Sequence, residues 1–479
     1  MVSTSKLTSF IIFISTFGTL FGQNSLSKLV NDGGAKNASW SISVIDVNTG
    51  ESLISHDASK LLCPASVWKL FTASTALKSL GSDFRFRTLV CHDGTLNNGV
   101  LRGNLYIIGS GDPSLGSRHF DKNFDALLAE WVEGVRSFGI ERIEGRVVAN
   151  GSFLKGNTLP RTRIWEDMGN YYGTAVSGIN INDNSYSIFF DTPLEPDSKT
   201  NVSRVHPEVP GLQLQNEVLT STVNRDRAFI FGSPLDQVRS IRGTLPVGRE
   251  DYEIRGSLPD PLLFAAFHFE NSLEDAGVPV EGGITVERET HHEASTLKKI
   301  SSTESPLLSD LIEHMLVNSD NLFAESLLIQ IGARNGNASI ESGIEGIHVH
   351  IKPICESNNS LFAYDGSGLS RFTAVSSVQV TKLLHYMANS EEQHKYILNV
   401  LPGAGQNGTM RNFGRRTNLE GNLYAKSGSM EKVRAYAGTL SAFSGRELGF
   451  AILVNNYEED DYVVKENIQE FILQVYGDY

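Results

Sequence analysis

Apolar and polar residues alternate along Trp40-Ser41-Ile42-Ser43-Val44-Ile45-Asp46-Val47, turn at Asn48-Thr49-Gly50, and resume at Glu51-Ser52-Leu53-Ile54. A period of two interrupted by turn residues predicts a β-hairpin. The period then changes. After Cys63-Pro64-Ala65-Ser66, residues Val67, Leu70, Phe71, Ser74 and Leu77 recur at helical spacing. Pro64 suits the first turn, where its missing N–H is not needed, and Gly81 suits the stop.

The far end of the chain returns to period two. Asn422–Lys426, Val433–Leu440 and Leu448–Val454 read as strands, and Val463–Val475 as a closing amphipathic helix. Leu307–Val317 and Leu322–Ile331 read as two successive helices. Strands at both termini with helices between predict one α+β domain built from the two ends of the chain. The middle, from about Phe84 to Glu289, carries short strands and turns with one clear helix at Phe124–Phe138. There Leu105-Tyr106-Ile107-Ile108 runs into Gly109-Ser110-Gly111-Asp112-Pro113. Pro113 opposes a helix opening at that turn, so no dinucleotide fingerprint is assigned. Asp191–Pro210 is polar and proline-bearing, and reads as a surface excursion.

Composition narrows the function classes. A chain of 479 residues has room for several domains and a large core. A formal net charge of −14 without a long basic run opposes a nucleic-acid or anionic-membrane partner. Lys6, the apolar run Phe10–Phe21 and Gly22-Gln23-Asn24 read as a secretory signal peptide, too short for a membrane span. Nothing later is apolar enough to span a bilayer, so the mature chain is expected to be exported, in the periplasm. Three cysteines, Cys63, Cys91 and Cys355, are not a disulfide framework, and pairing of Cys63 with Cys91 stays open.

Ser66 and Lys69 stand three residues apart at a helix start, where side chains are neighbours. A serine hydroxyl needs a base, and a lysine whose pKa is depressed can serve. The pattern is weak by itself: Ser-x-x-Lys also begins at Ser3, Ser25, Ser152, Ser295 and Ser429. Ser319-Asp320-Asn321 lies between two predicted helices, where side chains can enter a cleft or simply cap. Lys426-Ser427-Gly428-Ser429 ends a predicted strand, where a bare edge lets a substrate backbone lie alongside. Lys426 would also set a cation beside Lys69; otherwise it is an exposed strand-end lysine. His291-His292 and His348-x-His350 read as surface and strand histidines, and Glu459-Asp460-Asp461 as a solvated charge run. There is no GxSxG or HExxH.

Taken in order, Ser-x-x-Lys, Ser-x-Asn and Lys-Ser-Gly resemble the active-site serine penicillin-interacting enzymes. The segments Leu101–Tyr106, Gly109–Leu115, Tyr172–Ala175, Asn180–Asn184, Asp365–Arg371 and Leu401–Gly405 resemble one branch of them, from about residue 36 to the C-terminus. That branch is the D-alanyl-D-alanine carboxypeptidase/endopeptidase family, the class C low-molecular-mass penicillin-binding proteins. Ser427 stands where many members carry Thr.

The resemblance implies a β-lactamase/transpeptidase-like domain, an antiparallel sheet plus helical cluster, with nested strand-rich inserted domains. It accounts for the separation of 253 positions from Ser66 to Ser319. The implied division is a signal peptide at 1–22 and a catalytic domain at 23–88 and 296–479. An inserted domain at 89–182 and 256–295 encloses a second one at 183–255. The implied roles are Ser66 as nucleophile, Lys69 as base, Ser319 as proton relay and Asn321 as acyl-side anchor. Lys426 and Ser427, with Gly428 and Ser429, would hold the terminal carboxylate and the reacting carbonyl. Asp167, Tyr172, Leu369, Arg371 and Met430 would form a pocket for the diaminopimelate side chain of a peptidoglycan stem peptide. β-Lactams would acylate the same serine, and no cofactor or metal is implied. Two other readings stay open: a β-lactamase or esterase on this fold, and a non-catalytic peptidoglycan-binding protein that kept it.

Overall fold

The computed structural model describes residues 26–31, 35–289, 296–355, 361–390 and 392–479. The N-terminal apolar run and His291-His292 lie outside them. The chain forms two compact units. The first combines the described residues up to Ser82 with Ile312–Asp320 and Ile344–Tyr479; the second comprises Asp83–Leu311 and Asn321–Gly343.

In the first unit the predicted hairpin is β1 (Ser39–Asp46) and β2 (Ser52–His56). A 3-10 turn, Ala65–Trp68, leads into α1 (Lys69–Leu80). Helix α2 (Ser377–Asn389) precedes three C-terminal strands, β3 (Leu423–Met430), β4 (Val433–Ser441) and β5 (Glu447–Asn455), and α3 (Asp461–Asp478) closes the chain. The sheet order is β3-β4-β5-β1-β2, antiparallel throughout. The two chain ends therefore meet at β1 and β5, paired from Ser39–Asn455 to Asp46–Leu448.

The alternation in β1 has a meaning beyond an inside and an outside. Trp40, Ile42 and Val44 enter an apolar core with Phe450, Ile452 and residues Val464, Ile468 and Phe471 of α3. The polar phase is buried too: Ser41 Oγ lies 3.0 Å from Ser377 Oγ and Ser43 Oγ 3.0 Å from Thr381 Oγ1, both on α2. Paired hydroxyls satisfy one another, so a strand can be covered on both faces without orphan polar groups.

The second unit contains a mixed five-stranded sheet in the order Ile284–Glu287, Val147–Asn150, Leu105–Ile108, Arg87–His92, Lys298–Glu304. Its apolar core includes Ile107, Val147 and Trp131, the last on the predicted helix at Phe124–Ser137. A further helix, Pro261–Asp275, is absent from the sequence reading. Its start was nonetheless signalled: Asp260 caps the N–H groups of Leu262 and Leu263, and Pro261 takes the first position. Two three-stranded sheets fill residues 185–257. Within the expected surface excursion, Asn201–His206 is an exposed edge strand on Ser185–Thr192.

Other readings are corrected here. His348 and His350 lie on the helix Ile340–Cys355, not on a strand. His350 Nε2 meets Ser74 Oγ at 2.9 Å, and burial pulls its imidazole down to about 4. The run Glu459-Asp460-Asp461 is solvated as read, with Asp460 and Asp461 exposed; Asp460 takes the position before α3 and Asp461 also pairs with Arg434 at 3.0 Å. All three cysteines are buried, free thiols, which answers the Cys63–Cys91 question. No helix among the described residues is long and apolar enough to cross a membrane.

Candidate active site

Ser66 belongs to the 3-10 turn and Lys69 opens α1. The chain reaches this turn through Ala65 at φ 45°, a left-handed conformation uncommon for a residue with a Cβ. Val67, Trp68, Leu70 and Phe71 are fully buried, so the apolar stripe legible in the sequence holds the turn in place. Ser66 is half-buried. Lys69 is wholly buried, and its Nζ donates to Ser66 Oγ at 2.9 Å and to the Ser367 carbonyl at 3.0 Å.

That carbonyl comes from a loop organised by one carboxylate. Asp365 accepts from the Ser367 and Thr373 hydroxyls and from the Gly368 and Ser370 N–H groups. The loop is tied to the nucleophile segment by Trp68 Nε1 on the Asp365 carbonyl (2.7 Å) and by Thr72 Oγ1 on the Gly366 carbonyl (2.6 Å). Sequence reasoning used Asp365–Arg371 only as a family signature and missed Asp365 and Ser367 as supports. The signal was local: an Asp followed at two and five positions by Ser is a pattern for side-chain–backbone turns.

Strand β3 is an edge of the five-stranded sheet and carries the third motif. Lys426, Ser427, Gly428 and Ser429 stand opposite Ala437, Tyr436, Ala435 and Arg434. Gly428 must be bare: a Cβ there would lie 2.6 Å from the Pro64 carbonyl oxygen and 3.0 Å from the Ser66 nitrogen. Its absence lets β3 lie against the nucleophile turn. Lys426 is fully buried, not exposed, and donates to the Ser427 carbonyl at 2.7 Å. Burial first, and then the charge of Lys69, hold its ammonium well below the ordinary lysine range. Ser427 is half-buried and Ser429 exposed. Met430 packs on Cys63, Ala65 and Val433. Leu369 is half-buried on the Asp365 loop, and exposed Arg371 donates to the Glu431 carbonyl just past β3.

Ser319 also belongs to the first unit. It is half-buried between the helices Leu308–Asn318 and Asn321–Arg334, at φ 60°. Asn321 opens the second of these helices and belongs to the other unit, with Asp167 and Tyr172. Its side-chain amide donates to the Tyr172 carbonyl at 2.7 Å. Burial, followed by the neighbouring Asp167 carboxylate, raises the Tyr172 hydroxyl far above the ordinary tyrosine range. Asp167 itself is buried on the short helix Trp165–Met168.

The segment carrying Asp167 and Tyr172 is anchored to the Asn321 helix by a buried ion pair, Arg163 Nη2 to Glu325 Oε1 at 3.1 Å, with side chains 1% and 3% exposed. Breaking such a pair leaves an uncompensated charge, which costs about 3–5 kcal/mol. Neither residue was singled out in the sequence, because a salt bridge 162 positions apart has no local signature.

A family model described as the D-Ala-D-Ala carboxypeptidase 3 (S13) family matches residues 22–475. The D-alanyl-D-alanine carboxypeptidase of Actinomadura sp. (strain R39) is 28% identical over 448 residues, covering 90% of this chain and 80% of that protein. The crystal structure of penicillin binding protein 4 (dacB) from Haemophilus influenzae superposes with a TM-score of 0.81 at 22% identity, over 94% of this chain and 99% of that one. A structure of the same Haemophilus protein complexed with a β-lactam gives 0.76 at 22% identity, over 94% and 98%. The expected α+β, transpeptidase-like fold is thereby established. The match spans nearly the whole length, and the chain belongs to the D-Ala-D-Ala carboxypeptidase 3 (S13) family of serine-type peptidases.

Proposed function

We propose that this D-Ala-D-Ala carboxypeptidase works through an acyl-enzyme on Ser66. The observation that carries the reading is the buried Lys69 amine 2.9 Å from Ser66 Oγ. In this reading Lys69 takes the hydroxyl proton as Ser66 attacks the carbonyl of the D-Ala-D-Ala bond. The N–H groups of Ser66 and Ser429 receive the oxyanion, an arrangement in which each donor contributes about 3–4 kcal/mol. Ser319 passes the proton to the departing amine, and free D-alanine leaves. Asn321 aligns the acyl-side amide, while Lys426 and Ser427 hold the terminal carboxylate. Water then hydrolyses the ester and restores Ser66. The exposed edge of β3 favours a substrate backbone added as a further strand. Because one pocket would accept D-alanine or a second stem peptide on the leaving side, cleavage of D-Ala–diaminopimelate cross-links belongs to the same proposal. Incubation with purified muropeptides, with products identified by mass, tests both activities; intact substrates would overturn the proposal.

The likeness to a protein solved with a β-lactam supports covalent acylation by penicillins. The signal-like N-terminus supports export: secreted protein should begin near Gln23 on N-terminal sequencing, and full-length chain confined to the cytosol would refute this.

Substrate selection is proposed to involve Asp167 for the free amine of diaminopimelate and Arg371 for its carboxylate, with Tyr172, Leu369 and Met430 along the methylene stem. Asp167→Ala should lower kcat/KM for stem peptides carrying that amine roughly 10- to 150-fold, the scale of one charge-assisted hydrogen bond. Acylation by a small penicillin should be nearly unchanged. If both reactions fall together, Asp167 supports the fold and does not read substrate.

A further inference from the structure

Among the four tryptophans, Trp40, Trp68 and Trp131 are 3%, 0% and 0% exposed, whereas Trp165 is 57% exposed. Leaving so large an apolar surface in water is unfavourable, and such rings commonly mark binding surfaces. The mount beneath Trp165 is rigid. Gly169 approaches the edge strand Arg227–Phe231 so closely that a Cβ would lie 2.1 Å from the Ile230 carbonyl oxygen. Asn170 clamps the same residue, accepting from the Ile230 N–H at 3.1 Å and donating to its carbonyl at 3.3 Å. A third bond, Asn170 Nδ2 to the Glu166 carbonyl at 2.7 Å, ties the clamp back to the Trp165 helix.

The result is an aromatic shelf. The Trp165 and Phe231 rings are 4.5 Å apart, tilted by 38°. Phe229, on the same face of the strand as Phe231, is 37% exposed. Arg242 stands opposite Phe229, its guanidinium 5.8 Å from the Phe231 ring and its Nε paired with Glu217 at 3.2 Å, so it borders the shelf with its charge already balanced. A little further along, Arg255 lies 3.8 Å over the exposed ring of Tyr171. Stacking covers a guanidinium's face and leaves its N–H edges able to meet carboxylates.

We propose that this shelf binds the N-acetylated amino sugar that carries the stem peptide, which makes it a glycan subsite of the enzyme. Flat C–H faces of a pyranose match the aromatic row, and a free carboxylate of the stem peptide beyond the sugar's amide matches Arg255 over Tyr171. The reach fits as well. Trp165 and Asp167 share one helical turn, which with side chains is about 10–12 Å across. Two extended residues and their linker span roughly 7–11 Å, and the diaminopimelate side chain that carries the amine to Asp167 lengthens the path, so a bent stem peptide bridges that width. This rests on the peptidoglycan reading above.

Two measurements test it. Trp165 is the one exposed indole, so collisional quenching by acrylamide reports mainly on it. The peptide-free disaccharide N-acetylglucosaminyl-N-acetylmuramic acid should protect the fluorescence from acrylamide, and Trp165→Phe should remove that protection. This readout involves neither Ser66 nor turnover, so it stands apart from any failure of the acyl-enzyme proposal. In the second, Trp165→Ala should lower kcat/KM for disaccharide-linked stem peptide about tenfold, through KM, the scale of one aromatic stacking contact. Turnover of the free stem peptide should stay within about twofold. Absence of protection by the disaccharide, or equal losses on both substrates, overturns the subsite.

Discussion

Ser66→Ala is expected to abolish covalent labelling by radiolabelled or fluorescent penicillin and to lower D-Ala release on the order of 10⁴–10⁶-fold in kcat. The reason is chemical rather than structural. Ser66 is the only one of the paired residues that can form an ester, and the variant keeps the buried Lys69, the Asp365 loop and the apolar stripe of α1. Its thermal midpoint should therefore hardly move, which separates lost chemistry from lost fold. Labelled parent protein, digested and sequenced, should carry the adduct on the peptide containing Ser66. A label that persists in the variant would reassign the nucleophile.

Lys69→Ala should be nearly as severe and should block acylation by every donor, because among the described residues Lys69 is the amine that meets Ser66 Oγ. The same substitution leaves the Ser367 carbonyl without this donor, so some loss of stability accompanies it. Lys426→Ala should discriminate instead. It should harm substrates with a terminal carboxylate most and neutral esters least; equal losses would show that the two lysines do not divide the work as proposed. Lys426 also makes a pH prediction. Burial and Lys69 hold its folded-state pKa well below the ordinary 10.5, so the unfolded chain binds the proton more readily than the folded one. Stability contributed by this site therefore rises with pH through the window between the lowered value and 10.5. Lys426→Met should flatten that rise and stabilise the protein at neutral pH by about 1–4 kcal/mol while impairing carboxylate substrates. Thermal unfolding of both proteins across neutral and alkaline pH checks the sign. A variant less stable at neutral pH would contradict it.

Much of this protein was legible without coordinates. Period-two alternation at Trp40–Val47 and Leu448–Val454, and the helical stripe Val67–Leu77, are local patterns imposed by which side of an element faces a core. They placed β1, β5 and α1, and with the three motifs in order they identified the family. The stretches that failed did so for identifiable reasons. The hydroxyls of Ser41 and Ser43 look solvent-facing in sequence, yet they are buried because Ser377 and Thr381 meet them from more than 330 positions away. The Pro261–Asp275 helix went unread although its Asp-Pro start is explicit, since it lies among strand-rich segments.

What only the tertiary structure decided is electrostatic and steric. No spacing rule could show that Lys426 is wholly buried next to a second lysine. Nor could one show that Lys69 rests on a carbonyl supplied by an Asp365-centred loop 298 positions on, or that Arg163 and Glu325 neutralise each other in a core. Local sequence dictates backbone periodicity because neighbouring residues share an element. The protonation and aim of a side chain depend on dielectric and partners brought by distant segments, and those exist only once the chain has folded.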